Sequence, residues 1–116
     1  MDVLVILLTI YIDKSIKLIY YIVMLKRIES GISGKGLNYD YLSGIKDLAI
    51  KLGLKGVVFT KDDGSIKVIA EGEDGNLIKF AKRLEKNFFF SPIENFYVNW
   101  HDSTKEFQNF SISNNK

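Results

Sequence analysis

The fold is decided by residues 49–72, whose sequence is AIKLGLKGVVFTKDDGSIKVIAEG. Gly53 follows the apolar end of a helical pattern, and a glycine there can adopt the left-handed conformation that ends a helix. Residues 56–60, GVVFT, have the β-branched and aromatic composition of a strand. Asp63-Gly64 is a strong signal for a tight turn, and the apolar residues after it recur with a period near two. The stretch therefore predicts a helix end, a strand, a turn and a second strand.

The segments on either side of this stretch alternate between strand and helix patterns. The strand patterns lie at residues 26–33, 93–100 and 106–112, and the helical patterns lie at 41–52 and 77–86. The predicted order is β-α-β-β-α-β with a short terminal strand. This is the ferredoxin-like split β-α-β arrangement, an α+β sandwich with two helices on one face of an antiparallel sheet.

Composition limits the chemistry that the chain can perform. The 116 residues are 47% hydrophobic and 26% charged, which fits one globular domain, predicted here at residues 24–116. Cysteine is absent, so neither a disulfide nor thiolate chemistry is available. Because the chain has a single histidine, His101, a His-rich metal site is excluded. His101 is predicted to be an ordinary turn residue rather than a catalytic base.

The distribution of charge argues against two classes of partner. The 16 basic and 14 acidic residues give a net charge of +2, which is too balanced to indicate binding of nucleic acid. Glu71, Glu73 and Asp74 are predicted to form the solvated start of a helix rather than a metal site. We therefore expect neither a metal nor a cofactor.

Residues 1–23, MDVLVILLTIYIDKSIKLIYYIV, differ from the rest of the chain in being mostly apolar. To span a bilayer they would place Asp13, Lys14 and Lys17 near its centre, at a cost of about 2.5–3.5 kcal/mol each. Three interpretations stay open. The extension is a helix or strand docked on the domain, a poor membrane anchor, or sequence that precedes a true start at Met24.

Several motifs resemble those of the acylphosphatase family. Residues 49–56 resemble its A-x-x-L-G-L-x-G, and residues 63–72 resemble its D-G-S-V-E-V-x-A-E-G. Residues 106–110 match its E-F-x-x-F ending, and residues 24–27, MLKR, lie where many of these proteins begin. The resemblance covers residues 24–112. It implies the ferredoxin-like fold and the hydrolysis of carboxyl-phosphate bonds, as in acyl phosphates.

The resemblance also implies where the active site should lie. In the family, a loop G-R-V-Q-G-V-G-F-R binds phosphate through backbone N–H groups, its last arginine clamps the phosphate, and an asparagine on the second strand orients water. The corresponding loop is residues 34–42, GKGLNYDYL. Leu42 stands at the arginine position and Thr60 at the asparagine position. Asn38 and Asp40 replace the two later glycines, and Asp40 puts a negative charge where phosphate should sit.

The same loop contains residues that could compensate for these losses. Lys35 is the best replacement for the clamp, because a lysine can bind phosphate as a point charge. Gly34, Lys35, Gly36 and Asn38 are therefore the candidate anion-binding residues. The simpler interpretations are a solvated lysine in a turn and an Asn38 that is a turn or cap residue. Either Asn38 or Asp40 can cap the next helix.

The sequence thus predicts an acylphosphatase-like domain that has lost its catalytic pair and acts as a small binding or interaction module. The alternative is a hydrolase of acyl phosphates that uses Lys35, Asn38 and Thr60 instead. A third hypothesis is a membrane-tethered form of either, through residues 1–23. We expect a cytoplasmic monomer whose partner is a small anion or an acyl phosphate.

Overall fold

The computed structural model describes residues 25–86 and 93–113. Within these residues the chain forms β1 (Leu25–Gly34), α1 (Tyr39–Lys51), β2 (Lys55–Thr60), β3 (Ile66–Glu73), α2 (Asp74–Glu85), β4 (Ile93–Asp102) and β5 (Phe110–Ile112). The predicted order and fold class are confirmed. The terminal strand is shorter than predicted, because residues 106–109 are not part of it. The extension at residues 1–23 and the alternative start at Met24 lie outside the described residues.

The strands form one sheet in the order β4-β1-β3-β2-β5. All neighbouring strands are antiparallel except β2 and β5, which are parallel. The register fixes which strand ends lie together. Ile66 of β3 pairs with Ile32 near the end of β1 and with Thr60 at the end of β2. The loop that follows β1 and the end of β2 therefore lie at the same end of the sheet.

The hydrophobic core lies between the sheet and the two helices. Apolar residues on alternate positions of the strands face the helices, and residues at helical spacing on α1 and α2 face the sheet. The fully buried members include Ile28, Ile45, Val68, Leu77 and Phe80. In the part of the chain that the structure describes, neither helix is long and apolar enough to cross a membrane.

The end of α1 is fixed by the glycine that the sequence predicted for this role. Gly53 has a φ of 72°, and its N–H donates to the carbonyl oxygen of Ile50 at 3.0 Å. The N–H of Leu54 donates to the carbonyl oxygen of Ala49 at 2.9 Å. These two bonds form a Schellman motif, which satisfies carbonyl groups that the helix leaves without partners.

A second glycine in the same stretch is required by close packing between strands. Gly56 has a φ of 152°, and a Cβ atom at this position would lie 1.9 Å from the carbonyl oxygen of Ile69. The N–H of Gly56 also donates to the carbonyl oxygen of Asn109 at 2.9 Å. Only a residue without a side chain fits at this crossing of β2, β3 and the segment that leads into β5.

Candidate functional site

The N-terminus of α1 is capped by a residue of the loop that joins β1 to α1. Asn38 is the N-cap of α1, and its side-chain Oδ1 accepts a hydrogen bond from the N–H of Tyr41 at 3.1 Å. The backbone carbonyl of Asn38 accepts from Tyr41 and from Leu42, at 3.0 and 3.2 Å. The prediction that Asn38 caps this helix is confirmed. The helix N-terminus, which could attract an anion, thus has an internal acceptor in place.

Leu42, at the position that the resemblance assigns to the arginine, belongs to the hydrophobic core. Its side chain is 7% exposed and packs in the same buried cluster as Tyr41, Ile45 and Ala49. Residues 42, 45 and 49 recur at helical spacing, so they share the face of α1 that meets the sheet. A leucine there contributes apolar packing and carries no group that can hold a phosphate.

Thr60, at the asparagine position, is exposed at the end of β2. It shares the helix-bearing face of the sheet with buried Val58, because successive strand residues alternate between faces. The pairing through Ile66 places Thr60 at the end of the sheet from which the β1–α1 loop leaves. The hydroxyl is therefore accessible on the side where the family pattern requires a polar group.

The remaining loop candidates are divided between β1 and the turn. Gly34 is the last residue of β1, Lys35 and Gly36 form the turn, and Gly36 has a φ of 75°. Lys35 is exposed. Asp40 is exposed in the first turn of α1, where a carboxylate is favoured by the helix dipole. The assignment of Gly34, Lys35, Gly36 and Asn38 as anion-binding residues stays a prediction.

A polar cluster that the sequence analysis did not anticipate lies at the other end of β1. Glu71 of β3 is only 6% exposed. Its carboxylate accepts hydrogen bonds from the N–H groups of Thr104 and Lys105 at 2.9 and 3.0 Å, and the hydroxyl oxygens of Ser103 and Thr104 lie 2.8 Å away. Arg27 Nη1 donates to it at 3.1 Å. Because Glu71 is held by so many donors, it fixes the loop that follows β4.

Arg27 of β1 extends this cluster toward the C-terminal segment. Its Nη1 lies 2.6 Å from Glu106 Oε1, and its Nε lies 3.3 Å from Glu29 Oε2. The guanidinium carbon lies 5.6 Å from the centre of the Phe107 ring, which is within the range of a cation–π contact. We call Arg27, Glu71, Glu106 and residues 103–105 the clasp. It joins β1, β3 and the segment that leads into β5.

The titration behaviour of the clasp follows from its contacts. Burial by itself would raise the pKa of Glu71, but hydrogen bonds from Thr104, Ser103 and Arg27 together hold that pKa below its ordinary value. The Glu106 carboxylate accepts from Arg27 and Thr104, which lowers its pKa. The clasp carboxylates are therefore charged at neutral pH.

Two predictions about polar residues were wrong. Glu71 is not part of a solvated helix start, because β3 continues through Glu73 and α2 begins at Asp74. Of the three acidic residues, only Glu73 and Asp74 are exposed at the start of the helix, as predicted. His101 is not in a turn but in β4, where it pairs with Arg27. Arg27, Glu71 and Glu106 each lie in a segment that carries the family resemblance, but no local pattern in those segments indicates that the three side chains meet.

Comparisons with known proteins agree with the fold and the motifs. The family model named acylphosphatase matches residues 30–112. The chain belongs to the acylphosphatase family. An acylphosphatase of Bacillus licheniformis is 33% identical over 89 residues, which cover 74% of this chain and 91% of that protein. One of Pelotomaculum thermopropionicum is 28% identical over 82 residues, covering 71% of this chain and 89% of that protein.

A solved member of the family has the same architecture. The crystal structure of acylphosphatase from Bacillus subtilis is similar at a TM-score of 0.66 and 26% sequence identity. The similarity covers 76% of this chain and 98% of that one. In this chain the family motifs contain the Schellman motif, Gly56 and two carboxylates of the clasp, Glu71 and Glu106, each of which stabilises the fold.

Proposed function

We propose that this chain is an acylphosphatase-family domain without acyl phosphate hydrolysis, which acts as a small binding or interaction module. The observation that carries the proposal is the burial of Leu42. Hydrolysis of an acyl phosphate needs a cation that binds the phosphate dianion and stabilises the charge that develops during attack by water. At the position that the resemblance assigns to that cation, the chain has a core leucine.

The cap on α1 supports the same conclusion. The family loop presents backbone N–H groups to phosphate, whereas Asn38 here accepts the hydrogen bond of the Tyr41 N–H. Asp40 places a carboxylate in the same first turn. A phosphate would have to displace the Asn38 side chain and sit beside this carboxylate, and like charges repel. Both changes disfavour a phosphate at this helix N-terminus.

The second candidate is a hydrolase with a substituted site. It is supported by the exposure of Lys35 and Thr60, which lie at the same end of the sheet. In this case Lys35 binds the phosphate, and the Thr60 hydroxyl orients the attacking water. Loss of one key donor typically costs about 10²–10³ in rate, so such an enzyme would be slow compared with its relatives.

Release of inorganic phosphate from acetyl phosphate distinguishes the two candidates. The full chain is compared with its Lys35→Ala, Leu42→Arg and Leu42→Arg/Thr60→Asn variants. For the module, we expect the wild type and Lys35→Ala to match the buffer rate. Thermal unfolding of each variant is followed in parallel, because an arginine introduced next to the core lowers stability unless its guanidinium reaches water.

Each result of this assay supports a different state of the loop. Turnover by the wild type well above the buffer rate, lost in Lys35→Ala, would overturn the module and establish the substituted site. Turnover that appears in Leu42→Arg would mean that the loop still has the shape of a phosphate site and that the clamp alone is missing. Turnover that appears only in the double variant would mean that both the clamp and the water-orienting asparagine are missing. A folded double variant that stays inactive would mean that the Asn38 cap and Asp40 have also closed the loop.

A further inference from the structure

A cationic groove lies between the two helices, away from the β1–α1 loop. It has a volume of about 440 Å³, and every charged residue that lines it is basic. These residues are Lys51 of α1 and Lys79, Lys82, Arg83 and Lys86 of α2 and its C-terminal end. The chain has 16 basic residues and a net charge of only +2, so five cations on one groove are a strong local concentration.

The cations are arranged as a continuous row. On α2 they occupy positions i, i+3, i+4 and i+7, which share one face of a helix. Among residues 25–86 and 93–113, no ion pair involves Lys51, Lys79, Lys82 or Lys86. Their charges are therefore not neutralised within the described part of the domain and create a positive potential along the groove.

The floor of the groove is apolar. Leu48 and Leu52 of α1 line it, and Leu48 is only 5% exposed. Side chains at this depth cannot insert into a bilayer, which would require apolar groups that project from the surface. They can instead receive an apolar side chain that enters the groove from a partner. A concave apolar strip between helices, bordered by charge, is the geometry in which amphipathic helices dock.

We propose that the cationic groove docks an acidic amphipathic helix of a partner protein. Apolar residues on one face of that helix contact Leu48 and Leu52, and its flanking carboxylates face the lysines. Because the apolar floor is small, most of the attraction is electrostatic, which gives rapid and salt-sensitive association. The proposal concerns a different surface from the loop and holds whether or not the chain hydrolyses acyl phosphates.

The test uses the full chain and a fluorescein-labelled synthetic peptide of about 18 residues, which exceeds the length of about 12–15 residues below which isolated helices are marginal in water. The probe carries leucines at helical spacing with glutamates beside them, and a second peptide carries lysine in place of each glutamate. Fluorescence anisotropy measures binding at low and at high salt. The Lys82→Glu and Lys79→Glu/Lys82→Glu variants are compared with Lys61→Glu, which reverses an exposed lysine in the β2–β3 turn and changes the net charge by the same amount as Lys82→Glu.

We expect saturable binding of the acidic peptide that weakens several-fold at high salt. Affinity should fall at least about tenfold in Lys79→Glu/Lys82→Glu, since attraction becomes repulsion at two positions, and less than about twofold in Lys61→Glu. The lysine peptide should not bind. If the double variant does not fold, Lys79→Gln/Lys82→Gln removes the same charges and should also weaken binding.

Three results would overturn the proposal. The first is the absence of saturable binding by the acidic peptide. The second is an equal loss in Lys82→Glu and Lys61→Glu, which would mean that net charge alone attracts the peptide. The third is binding to vesicles that contain anionic phospholipid without binding to the peptide, which would assign the groove to a membrane surface instead.

Discussion

The two ends of β1 differ in how closely the residues around them match the acylphosphatase pattern. At the start of the strand, Arg27 takes part in the clasp with Glu71 and Glu106, and these two carboxylates lie in family motifs. At the other end, the loop that should bind phosphate ends in a core leucine, Leu42, and is capped by Asn38. Family membership is therefore recognised from the motifs around the clasp, whereas the proposed loss of hydrolysis depends on the loop at the opposite end of the strand.

The two ends also differ in how their polar groups are satisfied. The bonds that Arg27 and Glu71 make in the clasp join segments that are far apart in sequence, so they stabilise the tertiary structure. The Asn38 cap is a local bond within one helix turn. Substitutions at the clasp and its neighbouring motifs should therefore reduce stability strongly, whereas substitutions of the exposed residues of the loop should have small effects. The following predictions test that difference in order of expected size.

The largest effect should come from Glu71→Ala. This substitution removes the acceptor of two backbone N–H groups and leaves Arg27, which is itself largely buried, with fewer partners. We expect the free energy of unfolding in urea to fall by about 3 kcal/mol. Glu73→Ala is the matched control, because Glu73 is exposed and makes no side-chain cap hydrogen bond. Equal effects of the two substitutions would show that the clasp does not stabilise the fold.

Gly56→Ala should be the next most damaging change. The new Cβ atom would meet the carbonyl oxygen of Ile69, so β2 and β3 would have to separate locally. We expect a loss of about 2 kcal/mol in urea unfolding. Gly53→Ala, at a φ of 72° with no atom within 4 Å of the added Cβ, should cost about 1 kcal/mol. A smaller loss at Gly56 than at Gly53 would contradict the close contact.

Stability should also decline in acid because of the clasp. The pKa of Glu71 is lowered in the folded protein, so its contribution is present above its unfolded value near 4.5 and is lost as the pH falls through the folded pKa. Urea unfolding at pH 7, 5 and 3 should show this decline for the wild type. Glu71→Gln should be less stable at pH 7 and lose less on acidification. An identical pH dependence in both proteins would remove Glu71 as a source of acid sensitivity.

The smallest effect should come from the loop. Asn38→Ala removes the side-chain acceptor of the Tyr41 N–H and should cost about 1 kcal/mol in urea unfolding. Asn38→Asp keeps an acceptor at the same place and should be close to the wild type. If Asn38→Ala destabilised the protein as much as Glu71→Ala, the distinction between the two ends of β1 would be lost.

Most of the fold could be predicted from the sequence because its signals are local. The glycine that ends α1, the Asp63-Gly64 turn and the alternation in β3 each depend on a few neighbouring residues. The burial of Glu71 could not be predicted in this way, because its partners come from β1 and from the loop after β4. An acid just before a helix looks the same whether it faces water or an arginine from another strand.

The positions assigned to the candidate site come from the family motifs, whereas its internal contacts come from the structure. Counting along the family motifs placed Leu42 and Thr60, and the register brings Thr60 to the loop end of the sheet. The apolar face of α1 was predicted from Tyr41, Ile45 and their neighbours, and Leu42 extends it. The cationic groove was not predicted, because the row on α2 looks like an ordinary solvated face until α1 is packed beside it.

The most direct test of the central claim is a titration of the full chain with inorganic phosphate, followed by NMR of its backbone amides at constant ionic strength. If the loop is internally satisfied, the amide signals of residues 34–42 should not shift in a saturable way at millimolar phosphate, and those of Asn38→Gly/Leu42→Arg should shift more. Saturable shifts of the wild-type loop amides, abolished by Lys35→Ala, would contradict the account and show that the family's phosphate site has survived in altered form.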